Sequence, residues 1–200
     1  MSEQALNNGT EMSSLHRSRW LLLGVLAAFV GPLLLAYVLM MVLKWAPPTH
    51  TNNGRLIEPL VTVDGLEAIA EGGKVLPADY WEGHWTLVFY AGQSCDLECE
   101  AALFKARQTR LALGRDAPRI HRVYLEASPA AHPGERLIRE HPGMTVARLG
   151  ANPAGFAALP TQQLYLVDPM GNLVLGYDDS ATAKGLMKDL KRLLKVSKVG

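Results

Sequence analysis

The run Leu87-Val88-Phe89-Tyr90-Ala91-Gly92-Gln93-Ser94-Cys95-Asp96-Leu97-Glu98-Cys99 decides how this chain is read. Residues 87–90 are apolar and aromatic, the pattern of a buried central strand. Residues 91–94 make a loop. Beyond it Leu97, Ala101, Phe104, Gln108 and Leu111 recur at helical spacing, and Gly114 stands where a helix cap is expected. The segment is strand, loop, helix, and both cysteines of the 200 residues sit where the loop enters the helix.

Working outward, residues 120–125 (IHRVYL) read as a strand. A helix near 135–140 is opened by Pro133 and stopped before Pro142, and a short strand follows at 145–149. Residues 164–167 and 173–175 form a hairpin through Asp168-Pro169-Met170-Gly171-Asn172. From about 182 to 196 a last helix puts Leu186, Met187, Leu190, Leu193 and Leu194 on one face and lysines on the other. The order βαβαβ, hairpin, helix predicts an α/β, thioredoxin-like fold. Residues 55–82 are its N-terminal extension, whose Gly and Pro content hides the elements within.

Residues 20–43 carry no charge, and 24 residues exceed the roughly 20 that a helix needs to cross a bilayer core. The run is also longer than the apolar core of a cleaved signal peptide, and no small-residue cleavage site follows it. The expected organisation is a disordered cytoplasmic tail over 1–19, a transmembrane helix over 20–43, a linker over 44–54 and a folded domain over 55–200. Arg17 and Arg19 before the helix outweigh Lys44 after it, which orients the N-terminus to the cytoplasm. In a bacterial inner membrane the domain then faces the periplasm, where disulfides persist. Lys and Arg number 20 against 19 Asp and Glu, a balance that excludes an electrostatic nucleic-acid binder. Two cysteines are too few for a disulfide scaffold or a four-cysteine zinc site.

Cys95 falls at or just before the helix start and Cys99 about one turn in. Their Cα atoms are then roughly 6 Å apart, within disulfide range, and both thiols are expected to be open to a partner. The positive end of the helix dipole favours a thiolate on Cys95, while Asp96, Glu98 and Glu100 oppose it. Those acids read first as complements of the dipole and second as a lure for a cation. The histidines His50, His84, His121, His132 and His141 read as surface or packing residues, and Met144 as a weak soft donor. The lysines of the last helix read first as a solvated face, and otherwise as a surface for anionic lipid or a partner.

Residues 89–99 resemble the C-x3-C loop of the Sco/SenC family, membrane-anchored thioredoxin-fold proteins that help assemble the copper site of cytochrome c oxidase. Residues 95–114, 165–177 and 185–195 resemble a proteobacterial group of Sco-like membrane proteins associated with oxidase assembly. The resemblance implies copper as a cofactor or cargo, held by Cys95 and Cys99, and an oxidase subunit or another assembly factor as partner. It also implies a histidine ligand shortly before the strand at 164–167. Here that stretch reads Leu159-Pro160-Thr161-Gln162-Gln163, and no histidine follows His141. Thiolates alone suit Cu(I), whereas Cu(II) wants nitrogen as well. Thioredoxin-fold proteins place a cis-proline at this point, which would make Pro160 and Thr161 the wall against which a partner docks. Thiol–disulfide exchange, with Cys95 attacking and Cys99 resolving, stands slightly ahead of Cu(I) handling. The rival outside both is a non-catalytic docking module whose cysteines form a static bridge.

Overall fold

The computed structural model describes residues 4–41 and 52–197. It divides into an N-terminal unit ending at Thr51 and a domain from Asn52 onward. The N-terminal unit holds a helix, α1 (Gln4–Met41), in which the stretch Arg19–Met41 has a mean hydropathy of 2.4. Its Leu, Val and Phe side chains are exposed except for half-buried Leu39, as a lipid environment requires. The chain thus carries a single-pass membrane anchor. The helix begins at Gln4, so the polar residues expected to be a disordered tail continue it. Extending a formed helix adds one hydrogen bond per residue fixed and needs no new nucleus. The linker expected over 44–54, with His50, lies outside the described residues except for 52–54.

The domain is built on one seven-stranded sheet in the order β1-β7-β6-β3-β4-β5-β2. Its strands are β1 (Arg55–Thr62), β2 (Ala68–Ala70), β3 (Trp85–Ala91), β4 (Ile120–Glu126), β5 (Thr145–Leu149), β6 (Gln163–Val167) and β7 (Asn172–Tyr177). β3, β4 and β5 run parallel, linked by the helices α2 (Leu97–Ala112) and α3 (Gly134–Glu140), while β6 and β7 form the antiparallel hairpin. Every residue of β3 is buried, which explains why the central strand reads as an unbroken apolar run. The extension supplies the two strands that sequence did not resolve. β1 pairs with β7 at one edge and β2 with β5 at the other, covering both edges of the sheet.

On one face of the sheet, Leu87, Phe89, Tyr124 and Leu166 pack against Cys99, Leu103 and Ala106 of α2 and Leu186, Leu190 and Leu194 of the last helix, α4 (Ala183–Val196). The other face has no long helix. Val88, Tyr90, Val123 and Tyr165 are covered there by Ile57, Val63 and Leu66 of the extension and by Trp81 and Phe156 from short 3-10 turns. Four of the five α2 residues at helical spacing are apolar, yet all five point outward, with Leu97 85%, Phe104 56% and Leu111 55% exposed. The buried side of α2 is Cys99, Leu103, Ala106 and Thr109. The spacing located the helix correctly but marked its solvent face.

Candidate functional site

β3 ends at Ala91, and the chain turns through Gly92, Gln93 and Ser94 to Cys95. Asp96 is the N-cap of α2, and its Oδ1 accepts the Cys99 backbone N–H at 2.9 Å. Cys95 therefore lies one residue before the cap and Cys99 at the third helical position. The two form a disulfide with Cα atoms 5.2 Å apart. Cys95 is half-buried, whereas Cys99 is 1% exposed beneath α2. This corrects the expectation that both sulfurs are open, because the third position of an amphipathic helix faces its core. Of the two cysteines, Cys95 is the one a partner can reach.

Two of the three acids at the helix start have structural partners. Asp96 caps, and Glu100 pairs with Arg136 of α3, whose guanidinium also bonds Glu140 at 2.9 Å. Asp96 occupies the N–H that would otherwise face a thiolate on Cys95, so the helix terminus offers that thiolate less than an uncapped end would.

The Gly92 turn is held from two sides by residues the sequence reading did not assign to the site. Ser128 Oγ donates to Gly92 O at 3.3 Å, and Gly92 N–H donates to Gln162 Oε1 at 3.2 Å. Gln162 has a φ of 60°, and its own N–H donates to Tyr90 O at 2.6 Å. A Cβ on Gly92 would lie 2.5 Å from Thr161 Oγ1, so glycine is required where Thr161 packs on the loop. Thr161 and Pro160 are exposed beside this turn. The expected cis bond at Pro160 is absent: among the described residues the cis peptide is Glu58–Pro59. The left-handed Gln162 makes the bend into β6 instead. Ser128 lies 36 residues from Gly92 with no local signal in the sequence, and Gln162, 70 residues away, stands in the 159–163 stretch without any sign of its bond to Gly92.

The histidines lie elsewhere. His84 and His121 stack with ring centroids 3.6 Å apart, and His132 Nδ1 sits 2.8 Å from Glu126 Oε1. His141 is buried, and Met144 packs on the core. Among the described residues no three His, Cys, Asp or Glu side chains gather to hold a metal. In the stretch where the resemblance implies a nitrogen ligand, Gln162 spends its carbonyl oxygen on Gly92 and leaves a buried Nε2 without a partner. An amide N–H donates and cannot ligate a cation. The residues present do not fit Cu(II).

Burial lowers the pKa of His84, His121 and His141; His84 and Arg110 add to this at His121, and Arg122 and Arg107 at His141. The unfolded chain then binds more protons than the folded one just below pH 6.5, so stability is full above that value and falls as the pH drops. Each unmatched proton contributes a slope of at most about 1.4 kcal/mol per pH unit. Urea unfolding followed by tryptophan fluorescence is expected to show a lower midpoint at pH 5.5 than at pH 7. The double variant His84→Gln/His121→Gln should flatten that dependence, and an unchanged slope would refute the assignment.

A parallel β3-α2-β4 core, an antiparallel hairpin and a disulfide at the start of α2 define a thioredoxin-like thiol domain, here in a chain with an N-terminal membrane anchor. The chain belongs to the family described as transmembrane-like, thioredoxin-like, C-terminal domain, whose profile matches residues 85–197. No curated protein matches it by sequence. Among solved structures, apo Sco1 from Thermus thermophilus is 18% identical over 74% of this chain and 99% of its own, with a TM-score of 0.56. Copper-bound yeast Sco1 is 15% identical over 72% of this chain and 93% of its own, with a TM-score of 0.54. BsSco, a member of the Sco family of cytochrome c oxidase assembly proteins with a disulfide switch, is 13% identical over 68% and 95%, with a TM-score of 0.52. At these identities the likeness establishes the shared fold.

Proposed function

We propose that this protein is a bacterial inner-membrane assembly factor that serves cytochrome c oxidase by thiol–disulfide exchange at Cys95 and Cys99. The observation that carries the reading is the asymmetry of the pair: one sulfur is reachable and the other is buried directly behind it. In the reduced protein the Cys95 thiolate attacks a partner disulfide, forming a mixed disulfide and releasing one partner thiolate. The Cys99 thiolate then attacks Cys95 Sγ, closing the internal disulfide and releasing the second partner thiolate, so two electrons pass to the partner. The reverse sequence starts from the oxidised form described here. A protein partner is supported by the apolar stripe beside Cys95 and by a cleft of about 480 Å³ between α2 and α3, lined by Leu97, Phe104 and Leu137. In this reading residues 1–19 lie in the cytoplasm, 20–43 span the membrane, 44–54 link and 55–200 form the periplasmic domain. Pro160 and Thr161 form the wall on which the partner chain docks.

Cu(I) handling is the second reading. It is favoured by the reducible pair of soft thiolates and would run on Cys95 and Cys99 alone. One experiment separates these from a static bridge: the reduction potential of the full chain in detergent, with Cu(I) titrated into the reduced protein. Exchange predicts a potential above about −300 mV and no tight Cu(I) retention. A potential well below that value would mark a structural bridge, and tight retention lost in Cys95→Ser and Cys99→Ser would mark a copper carrier.

A further inference from the structure

We propose that the outer face of α4 docks on the anionic headgroup surface of the membrane that anchors the chain. Lys184, Lys188, Lys191 and Lys195 stand at i, i+4, i+7 and i+11, a single stripe about 60° wide, with Arg192 beside it. All five are exposed, and among the described residues none has a carboxylate within ion-pair distance. By contrast, Arg119, Arg136 and Arg139 elsewhere on the domain are paired with acids. The one acid in α4, Asp189, is turned inward and leaves the stripe uncompensated.

The path of the chain says what covers this stripe. Asp189 binds the backbone N–H groups of Asn53 and Gly54, and Gly185 packs against Asn53, so the chain coming from the anchor joins the domain on α4 itself. Eleven residues lie between Met41 and Asn53, and they can extend over at most about 40 Å. Anionic lipid is therefore supplied to α4 by the tether at high local concentration, and the attraction of each lysine acts once it is within a Debye length of the surface. Lysines spaced along one helix face meet a plane of phosphates together, which a lone surface lysine does not.

The test is lysine acylation of the full chain in nanodiscs, read residue by residue by mass spectrometry. Discs of phosphatidylcholine alone are compared with discs containing about 30% phosphatidylglycerol. The expected result is that Lys184, Lys188, Lys191 and Lys195 react about fivefold more slowly in the anionic discs, while exposed Lys74 on the β2 loop does not, and that about 0.5 M salt abolishes the difference. The variant Lys188→Glu/Lys191→Glu, on an exposed face, should keep its fold and lose the protection at Lys184 and Lys195. Equal rates in the two discs would overturn the proposal and leave the stripe to solvent or an acidic protein. Slowing of Lys74 to the same extent, or slowing by inorganic phosphate in neutral discs, would overturn it equally.

Discussion

Replacing Asp189 with alanine is expected to destabilise the domain by about 3–5 kcal/mol, the sum of several lost hydrogen bonds to a charged group, and a large part of the 5–15 kcal/mol that holds an ordinary domain folded. Asp189 is 4% exposed and accepts five hydrogen bonds. Asn53 N–H reaches both oxygens at 3.0 and 2.8 Å, Asn53 Nδ2 reaches Oδ1 at 2.8 Å, Gly54 N–H reaches Oδ2 at 2.9 Å, and Tyr177 O–H reaches Oδ2 at 3.2 Å. Removing the carboxylate leaves unsatisfied donors on the first residues of the domain, Asn53 and Gly54, and on Tyr177 of β7, each costing about 1–3 kcal/mol where buried. Alanine also opens the point where the chain enters the sheet, since Gly54 lies against the Tyr177 ring too closely for any side chain. Asp189→Asn keeps the shape but turns an N–H₂ toward donors, and should fall between wild type and Asp189→Ala. Lys188→Ala, on the exposed side of the same helix, should change stability by less than about 0.5 kcal/mol. Urea midpoints of the three variants decide the matter, and a loss under about 1 kcal/mol for Asp189→Ala would show that the clamp is dispensable.

Asp189 also marks the boundary of what the sequence can disclose. It sits among Leu186, Leu190 and Leu194 on the face that packs inward, and although Tyr177 is only 12 residues away, the backbone groups it clamps at Asn53 and Gly54 lie 136 and 135 residues away. The elements from residue 85 onward were legible because burial writes itself into them. β3 is buried throughout, and α4 separates its leucines from its lysines cleanly. β1 was not legible: it is an edge strand with only Ile57 buried, interrupted by Pro59, and its place comes from pairing with β7. β2 is three residues long and is defined by β5 rather than by itself. The cysteine pair announced itself by spacing and position. The grip on Gly92 by Ser128 and Gln162 did not, because it exists only once β3, β4 and β6 are side by side. On α2 the apolar repeat gave the correct element and the wrong face, since four small or polar residues, Cys99, Ala106, Thr109 and Ala102, supply much of its inner side.

The two single-cysteine variants are expected to differ by about a hundredfold in reaction with an external disulfide. Cys99→Ser leaves Cys95 as the only thiol, half-exposed before the cap of α2 and free of the partner that would resolve a mixed disulfide. Cys95→Ser leaves a thiol that is 1% exposed and packed among Leu103, Ala106 and Phe89. Such a group reacts only when the helix start opens, and its rate is reduced by the rarity of that opening. Exchange chemistry needs this ordering, whereas a static bridge has no use for it. The decisive measurement is the rate of mixed-disulfide formation with oxidised glutathione by each variant of the full chain in detergent, at one pH. Fast, stable adduct on Cys95 in Cys99→Ser, with almost none on Cys99 in Cys95→Ser, is the predicted result; equal rates, or faster reaction at Cys99, would contradict it.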